Sequence, residues 1–223
     1  SSCGGADALE SVGFRMGLDP EQSAKLLDLT GMVFLFAPHH HPAMKAVATA
    51  RKALGIRTVF NQLGPLANPA RAHRQLIGVY DFAFARPMAE ALRTLGCERA
   101  LVVQGTDGLD EISPCAPTRV VELLGGDVEE SVVEPKDFGM EPLPESAIVP
   151  GEGPVENGQL LRAAVEGIDS LRSEAIVPNA AATVYLAGLA GDFGSAAQMV
   201  RECIRSGAAG ARLRQLIEAS QSI

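Results

Sequence analysis

The stretch Gln75-Leu76-Ile77-Gly78-Val79-Tyr80, followed by Ala100-Leu101-Val102-Val103 and then by Gly105-Thr106-Asp107-Gly108-Leu109-Asp110-Glu111-Ile112-Ser113, decides the fold. Both apolar runs are short and rich in β-branched residues, as buried strands are, and residues 85–95 between them read as a helix that stops at Gly96. Strand, helix, strand in this order is the βαβ signature of a mostly parallel sheet, in which ligands gather beyond the carboxyl ends of the strands. The two glycines of 105–113 mark a sharp turn at such an end. Asp107, Asp110 and Glu111 then fall within five residues of one another, and like charges this close repel unless a cation receives them. Hard oxygen ligands suit Mg²⁺ that also touches substrate phosphates. From spacing alone, a solvated acidic turn reads equally well.

Upstream, Ser1-Ser2-Cys3-Gly4-Gly5-Ala6-Asp7 is a small, hydroxyl-bearing loop that runs into helical sequence at 8–12. Its backbone N–H groups can cradle a phosphate, or it is a plain turn with a helix cap. Asp19-Pro20-Glu21-Gln22 is a helix start with Asp19 as N-cap and Gln22 completing a capping box, and that helix should stop near Gly31. The apolar run 32–37 reads as a buried strand or a short extended segment. His39, His40 and His41 are adjacent, so their side chains diverge, and no carboxylate or thiol stands nearby at ligand spacing. Pro42 opens a helix over 43–54 that places Arg51 on the same stripe as Met44, Val47 and Ala48. An arginine there needs a partner, either a structural carboxylate or an anionic ligand. Residues 55–69 are irregular and too apolar for a solvent loop.

Downstream, 118–124 and 128–133 form a hairpin across Gly125-Gly126-Asp127. Residues 134–156, rich in Pro and Glu, read as surface loop. Helices follow over 158–167, 171–191, 195–206 and 209–219. Within the second, Asn179-Ala180-Ala181-Ala182 are small residues suited to close packing against a sheet.

Composition narrows the function classes. With 223 residues, 47% hydrophobic and 21% charged, the chain has enough apolar content for a core without staples. A net charge of −8 leaves no basic stripe to displace counterions from nucleic acid. No apolar run approaches the roughly 18 residues of a membrane span, and no signal peptide is visible. Cys3, Cys97, Cys115 and Cys203 are far apart, which indicates neither a zinc site nor a disulfide framework and points to a reducing, cytoplasmic setting. The chain starts without methionine inside a loop, so a preceding segment is expected.

Several stretches taken together resemble the anthranilate phosphoribosyltransferase family of tryptophan biosynthesis. They are 1–7, Phe34-Leu35-Phe36-Ala37-Pro38 with His41-Pro42-Ala43-Met44-Lys45, the run from Thr58 to Pro69, 105–113 and 179–182. The most specific is Phe60-Asn61-Gln62-Leu63-Gly64-Pro65-Leu66-Ala67-Asn68-Pro69. The resemblance implies an α/β fold of the nucleoside phosphorylase and phosphoribosyltransferase kind, with a mostly parallel central sheet flanked by helices and a small helical subdomain only partly present. On that basis 1–17 and 57–223 are expected to form the α/β domain, and 18–56 part of the helical subdomain.

The resemblance further implies that Asp110 and Glu111 bind the Mg²⁺ that bridges the diphosphate of phosphoribosyl pyrophosphate. Arg51 matches the arginine on the anthranilate side of the pocket, and His41 lies near the same place. Ser1 and Ser2 match the end of the phosphate-contacting loop, where Gly5 stands in place of a serine that many members carry. The implied reaction is attack of the anthranilate amine on the anomeric carbon with departure of diphosphate, and no residue is assigned as catalytic acid or base. A cytoplasmic homodimer is implied for the full-length protein. The family's first segment, with its glycine-rich phosphate loop, has no counterpart here, so the 223 residues by themselves are expected to be inactive or to bind phosphoribosyl pyrophosphate poorly. Pyrimidine nucleoside phosphorylases share the fold and give one alternative. A nucleic-acid or regulatory binding paralogue gives another, against which Asp110, Glu111, Arg51 and the net charge argue.

Overall fold

A computed structural model of the chain describes residues 4–40 and 64–223. These fall into two compact units, one formed by 1–64, 150–169 and 204–223 and the other by 65–149 and 170–203.

The second unit carries the sheet. Strands β1 (Arg74–Gly78), β2 (Arg99–Gly105), β3 (Thr118–Leu124) and β4 (Asp127–Val133) lie side by side in chain order. β1 and β2 are parallel, with Ile77 opposite Val102 and Gly78 opposite Val103. Their crossover is a turn of 3₁₀-helix followed by an α-helix, which has ten residues, Ala85–Thr94. In the first unit α1 is Gly5–Ser11, α2 is Pro20–Thr30 and α3 is Ala37–His40, so this crossover helix is α4. The remaining helices are α5 (Pro154–Val165), α6 (Ser170–Ala175), α7 (Val177–Leu186), α8 (Phe193–Arg205) and α9 (Ala208–Ser222).

The α/β class is as expected, and the strand directions correct the expectation of a mostly parallel sheet. Among the described residues β2 pairs antiparallel with β3, and β3 antiparallel with β4. For β3 and β4 the reason is connection length: a two-residue turn at Gly125-Gly126, both at positive φ, can only return the chain antiparallel. The hairpin therefore extends the sheet that the crossover began.

One face of the sheet is closed by α4. Ile77, Val79, Ala100, Val102, Val121 and Leu123 meet Ala85, Met88, Ala89 and Leu92 there, all buried. The opposite face carries Leu101, Val103 and Val120, and α7 packs on β1 and β2 through Ala181 and Ala182, both fully buried. Small side chains let this helix approach closely, as the sequence suggested. The single helix expected over 171–191 is instead α6 and α7, broken at Ile176. Pro178 has no N–H to donate, and its ring would strike the carbonyl four residues back, so the helix restarts around it.

Residues 134–156 also depart from the surface-loop reading. They hold two 3₁₀ turns whose Phe138 and Ala147 are buried. Arg201 on α8 forms a bidentate pair with Glu174 on α6 and donates to the Phe138 carbonyl at 2.9 Å, fixing one turn to two helices.

In the first unit, Phe14, Leu18, Leu26, Leu216 and Ile217 form the core, with α9 against α2 and α1 against α5. The capping box of α2 is present, with Gln22 N–H donating to Asp19 Oδ1 at 2.8 Å, and Gly31 closes the helix in the left-handed region. Residues 32–36 form no strand; they are irregular, with Met32 exposed and Phe34 edge-on to Phe14. This unit joins helices from both ends of the chain, α1 and α2 with α5 and α9.

Leu101 is fully buried in β2, whereas Leu124 at the end of β3 is 48% exposed. Leu101→Ala is expected to lose about 2–5 kcal/mol in urea unfolding, and Leu124→Ala less than about 1 kcal/mol.

Candidate functional site

Strands β1 and β2 run parallel; β1 ends at Gly78, opposite Val103, β2 runs on to Gly105, and the acidic loop leaves β2 at that end. Its first half is a tight turn. Gly105 N–H donates to the Leu109 carbonyl at 2.8 Å, and Gly108 N–H donates back to the Gly105 carbonyl at 3.0 Å. Asp107 belongs to this turn: its Oδ1 accepts from Leu109 N–H at 3.3 Å, and its Oδ2 accepts from the Ser113 hydroxyl at 2.5 Å. Ser113 is buried and also accepts from the N–H groups of Cys115 and Ala116, while its own N–H donates to the Thr118 hydroxyl. With its carboxylate so engaged, Asp107 is a turn residue.

Asp110 and Glu111 lie between these anchors, both exposed as residues. The loop backbone folds back over β1. A Cβ placed on Gly78 would stand 1.5 Å from the backbone oxygen of Asp110, so only glycine lets the loop occupy this place. From the other side, Asn179 in the first turn of α7 grips Ile112. Its Oδ1 accepts from Ile112 N–H at 3.0 Å, and its Nδ2 donates to the Ile112 carbonyl at 2.9 Å. The same Nδ2 is 3.5 Å from Glu111 Oε2, a longer contact.

Desolvation raises the Glu111 pKa above its usual 4.5, and the adjacent Asp110 charge raises it further. A bound cation removes both penalties. Among the described residues no group of three or more His, Cys, Asp or Glu could hold a metal by itself. Two carboxylates with the remaining positions left to phosphate and water are the arrangement that suits Mg²⁺, which keeps waters and binds through one or two carboxylates plus substrate phosphates. The donor set present fits that ion.

Gly5, at the start of α1, is exposed, and an added Cβ there would meet nothing within 4 Å. Ser1, Ser2, His41 and Arg51 lie outside the described residues. The structure sets beside Asp110 and Glu111 both Gly78, which the sequence did not single out, and Asn179, which it singled out only for close packing and for the resemblance. A glycine inside a strand is a signal for close backbone approach, so Gly78 could have been found. Asn179 carried no such signal, because its partner is 67 residues away in sequence.

The family described as "Glycosyl transferase family, a/b domain" matches residues 1–210. The anthranilate phosphoribosyltransferase of Rubrobacter xylanophilus is 44% identical over 224 residues, covering all of this chain and 65% of that protein. The same enzyme of Stenotrophomonas maltophilia is 43% identical over 223 residues, again with 100% of this chain and 65% of that protein covered. Among solved structures, the anthranilate phosphoribosyltransferase of Thermus thermophilus superposes with a TM-score of 0.88 at 37% identity, over 97% of this chain and 64% of that one. The Saccharomyces cerevisiae enzyme, in complex with phosphoribosyl pyrophosphate and Mg, gives 0.87 at 30% identity, over 98% and 63%. The chain thus spans about 65% of the length of the relatives it matches.

Gly78→Ala is expected to cost at least the roughly 1–3 kcal/mol of ordinary overpacking, because the atom in the way is backbone and cannot rotate aside; urea unfolding measures it. A second expectation concerns pH. A raised carboxyl pKa gives stability that is present at low pH and lost as pH rises through the raised value. In metal-free buffer with chelator, Glu111→Gln should therefore melt above wild type at pH 7.5, and the gap should close as pH falls toward 4.5.

Proposed function

Because the chain belongs to the glycosyl transferase family through its a/b domain, we propose that the full-length protein transfers the phosphoribosyl group from phosphoribosyl pyrophosphate to anthranilate. The products are N-(5-phosphoribosyl)anthranilate and diphosphate. The observation that carries the reading is the acid pair Asp110 and Glu111, held by Gly78 and Asn179 beyond the carboxyl ends of two parallel strands, where α/β sheets bind ligands.

In this reading Asp110 and Glu111 hold Mg²⁺. When bound, the ion supplies charge neutralisation for the departing diphosphate. The chain's own residues orient and enclose the reactants. Ser1, Ser2 and the backbone at Gly5 contact phosphate, and Arg51 and His41 face the anthranilate side. The aromatic amine is nucleophilic when neutral, so no strong base is required. Catalysis then consists of positioning and of electrostatic stabilisation as the ribose gains oxocarbenium character. The proposed working state is a cytoplasmic homodimer, and the 223 residues taken alone are proposed to turn over poorly.

Loss of anthranilate fluorescence on addition of phosphoribosyl pyrophosphate and Mg²⁺ to the full-length protein is the direct test. Asp110→Asn and Glu111→Gln should each lower kcat/KM for phosphoribosyl pyrophosphate by roughly 100-fold or more. Phosphorolysis of thymidine or uridine without any response to anthranilate would overturn the assignment. Open space at Gly5 gives a gain-of-function expectation as well. Gly5→Ser should fold with unchanged stability and lower KM for phosphoribosyl pyrophosphate several-fold.

A further inference from the structure

We propose that Asn179 is a positioning residue for the acid pair, holding Asp110 and Glu111 in their metal-binding arrangement before any substrate arrives; this rests on the metal-binding reading above. Its carboxamide meets both backbone groups of Ile112, accepting at 3.0 Å and donating at 2.9 Å. The residue next to a proposed ligand therefore has its peptide orientation fixed by one side chain. The same amide nitrogen faces Glu111 Oε2, which leaves Oε1 to the cation. A hydrogen-bonded partner of this kind orients a ligating carboxylate and limits its rotation.

The residue type is specific. Aspartate could accept from Ile112 N–H but could not donate to the carbonyl, and it would add a third negative charge beside Asp110 and Glu111. Glutamine carries one more methylene and would have to fold back to make the same two bonds. The mounting is rigid as well. Asn179 follows Pro178 at the restart of α7, and the helix is seated on β1 and β2 by the fully buried Ala181 and Ala182. The Ile112 side chain is itself buried, so the loop is anchored by an apolar plug and by the Asn179 amide together. With Gly78 allowing the Asp110 carbonyl to rest on β1, the acidic segment is fixed from two directions.

The test uses the full-length protein and Mn²⁺ as probe, with free Mn²⁺ followed by electron paramagnetic resonance in the presence of inorganic diphosphate. Asn179→Ala should weaken Mn²⁺ binding about 10–100-fold. The doubly substituted Asp110→Asn, Glu111→Gln protein should lose it. Loss in the double variant with wild-type affinity in Asn179→Ala overturns the Asn179 proposal alone. Wild-type Mn²⁺ affinity in the double variant overturns the metal reading, and the proposal with it. Should Asn179→Ala fail to fold, the wild-type protein still decides. Substoichiometric Mn²⁺ should broaden the Asn179 side-chain NH₂ resonances along with the Glu111 backbone amide, and sharp Asn179 resonances beside a broadened Glu111 amide overturn the proposal.

Discussion

The backbone oxygen of Asp110 occupies the space where a side chain on residue 78 would begin. That contact joins the end of β1 to the loop that leaves β2, and it is possible only because the two strands are parallel neighbours in register, with Gly78 opposite Val103. The crossover through α4 sets this adjacency, and burial of Ile77, Val102 and Leu92 holds it. A shift of one residue in register would turn the apolar set of β1 away from α4 and carry glycine away from the loop. The placement of two exposed carboxylates thus depends on a core that neither of them touches.

The arrangement carries an electrostatic cost. Two adjacent carboxylates with one partly desolvated are disfavoured while both are charged, as the raised pKa of Glu111 records. The fold tolerates this because the rest of the loop is fully engaged: Asp107 with Ser113 and Leu109, Ser113 with Thr118, Ile112 with Asn179. Under the proposed function, a cation at Asp110 and Glu111 would relieve that cost. It separates Asp110 and Glu111 from Asp107, which has the same chemistry but already has its donors.

Much of the fold could be read from local signals. The capping box at Asp19 and Gln22, the helix stops at Gly31 and Gly96, and the glycine pair at 125–126 each act within a few residues, where sequence and conformation are tightly linked. Signals that depend on partners elsewhere were less readable. The apolar run 32–37 looks like a strand, but an extended segment becomes one only if another strand accepts its hydrogen bonds, and Phe34 instead packs on Phe14. Phe138 looked like part of a surface loop until Arg201 and Glu174, far along the chain, closed over that turn.

The sequence by itself determined the chemistry: two adjacent carboxylates after a strand, a glycine inside the preceding strand, and motifs that place the chain in its family. Tertiary structure alone decided how those carboxylates are held. Whether the sheet was parallel or mixed, whether Gly78 faced the loop or solvent, and whether Asn179 was filler or a clamp all turn on contacts between residues tens of positions apart. Local propensity carries no information on such contacts, because they form only when burial of β1 and β2 between α4 and α7 brings the segments together.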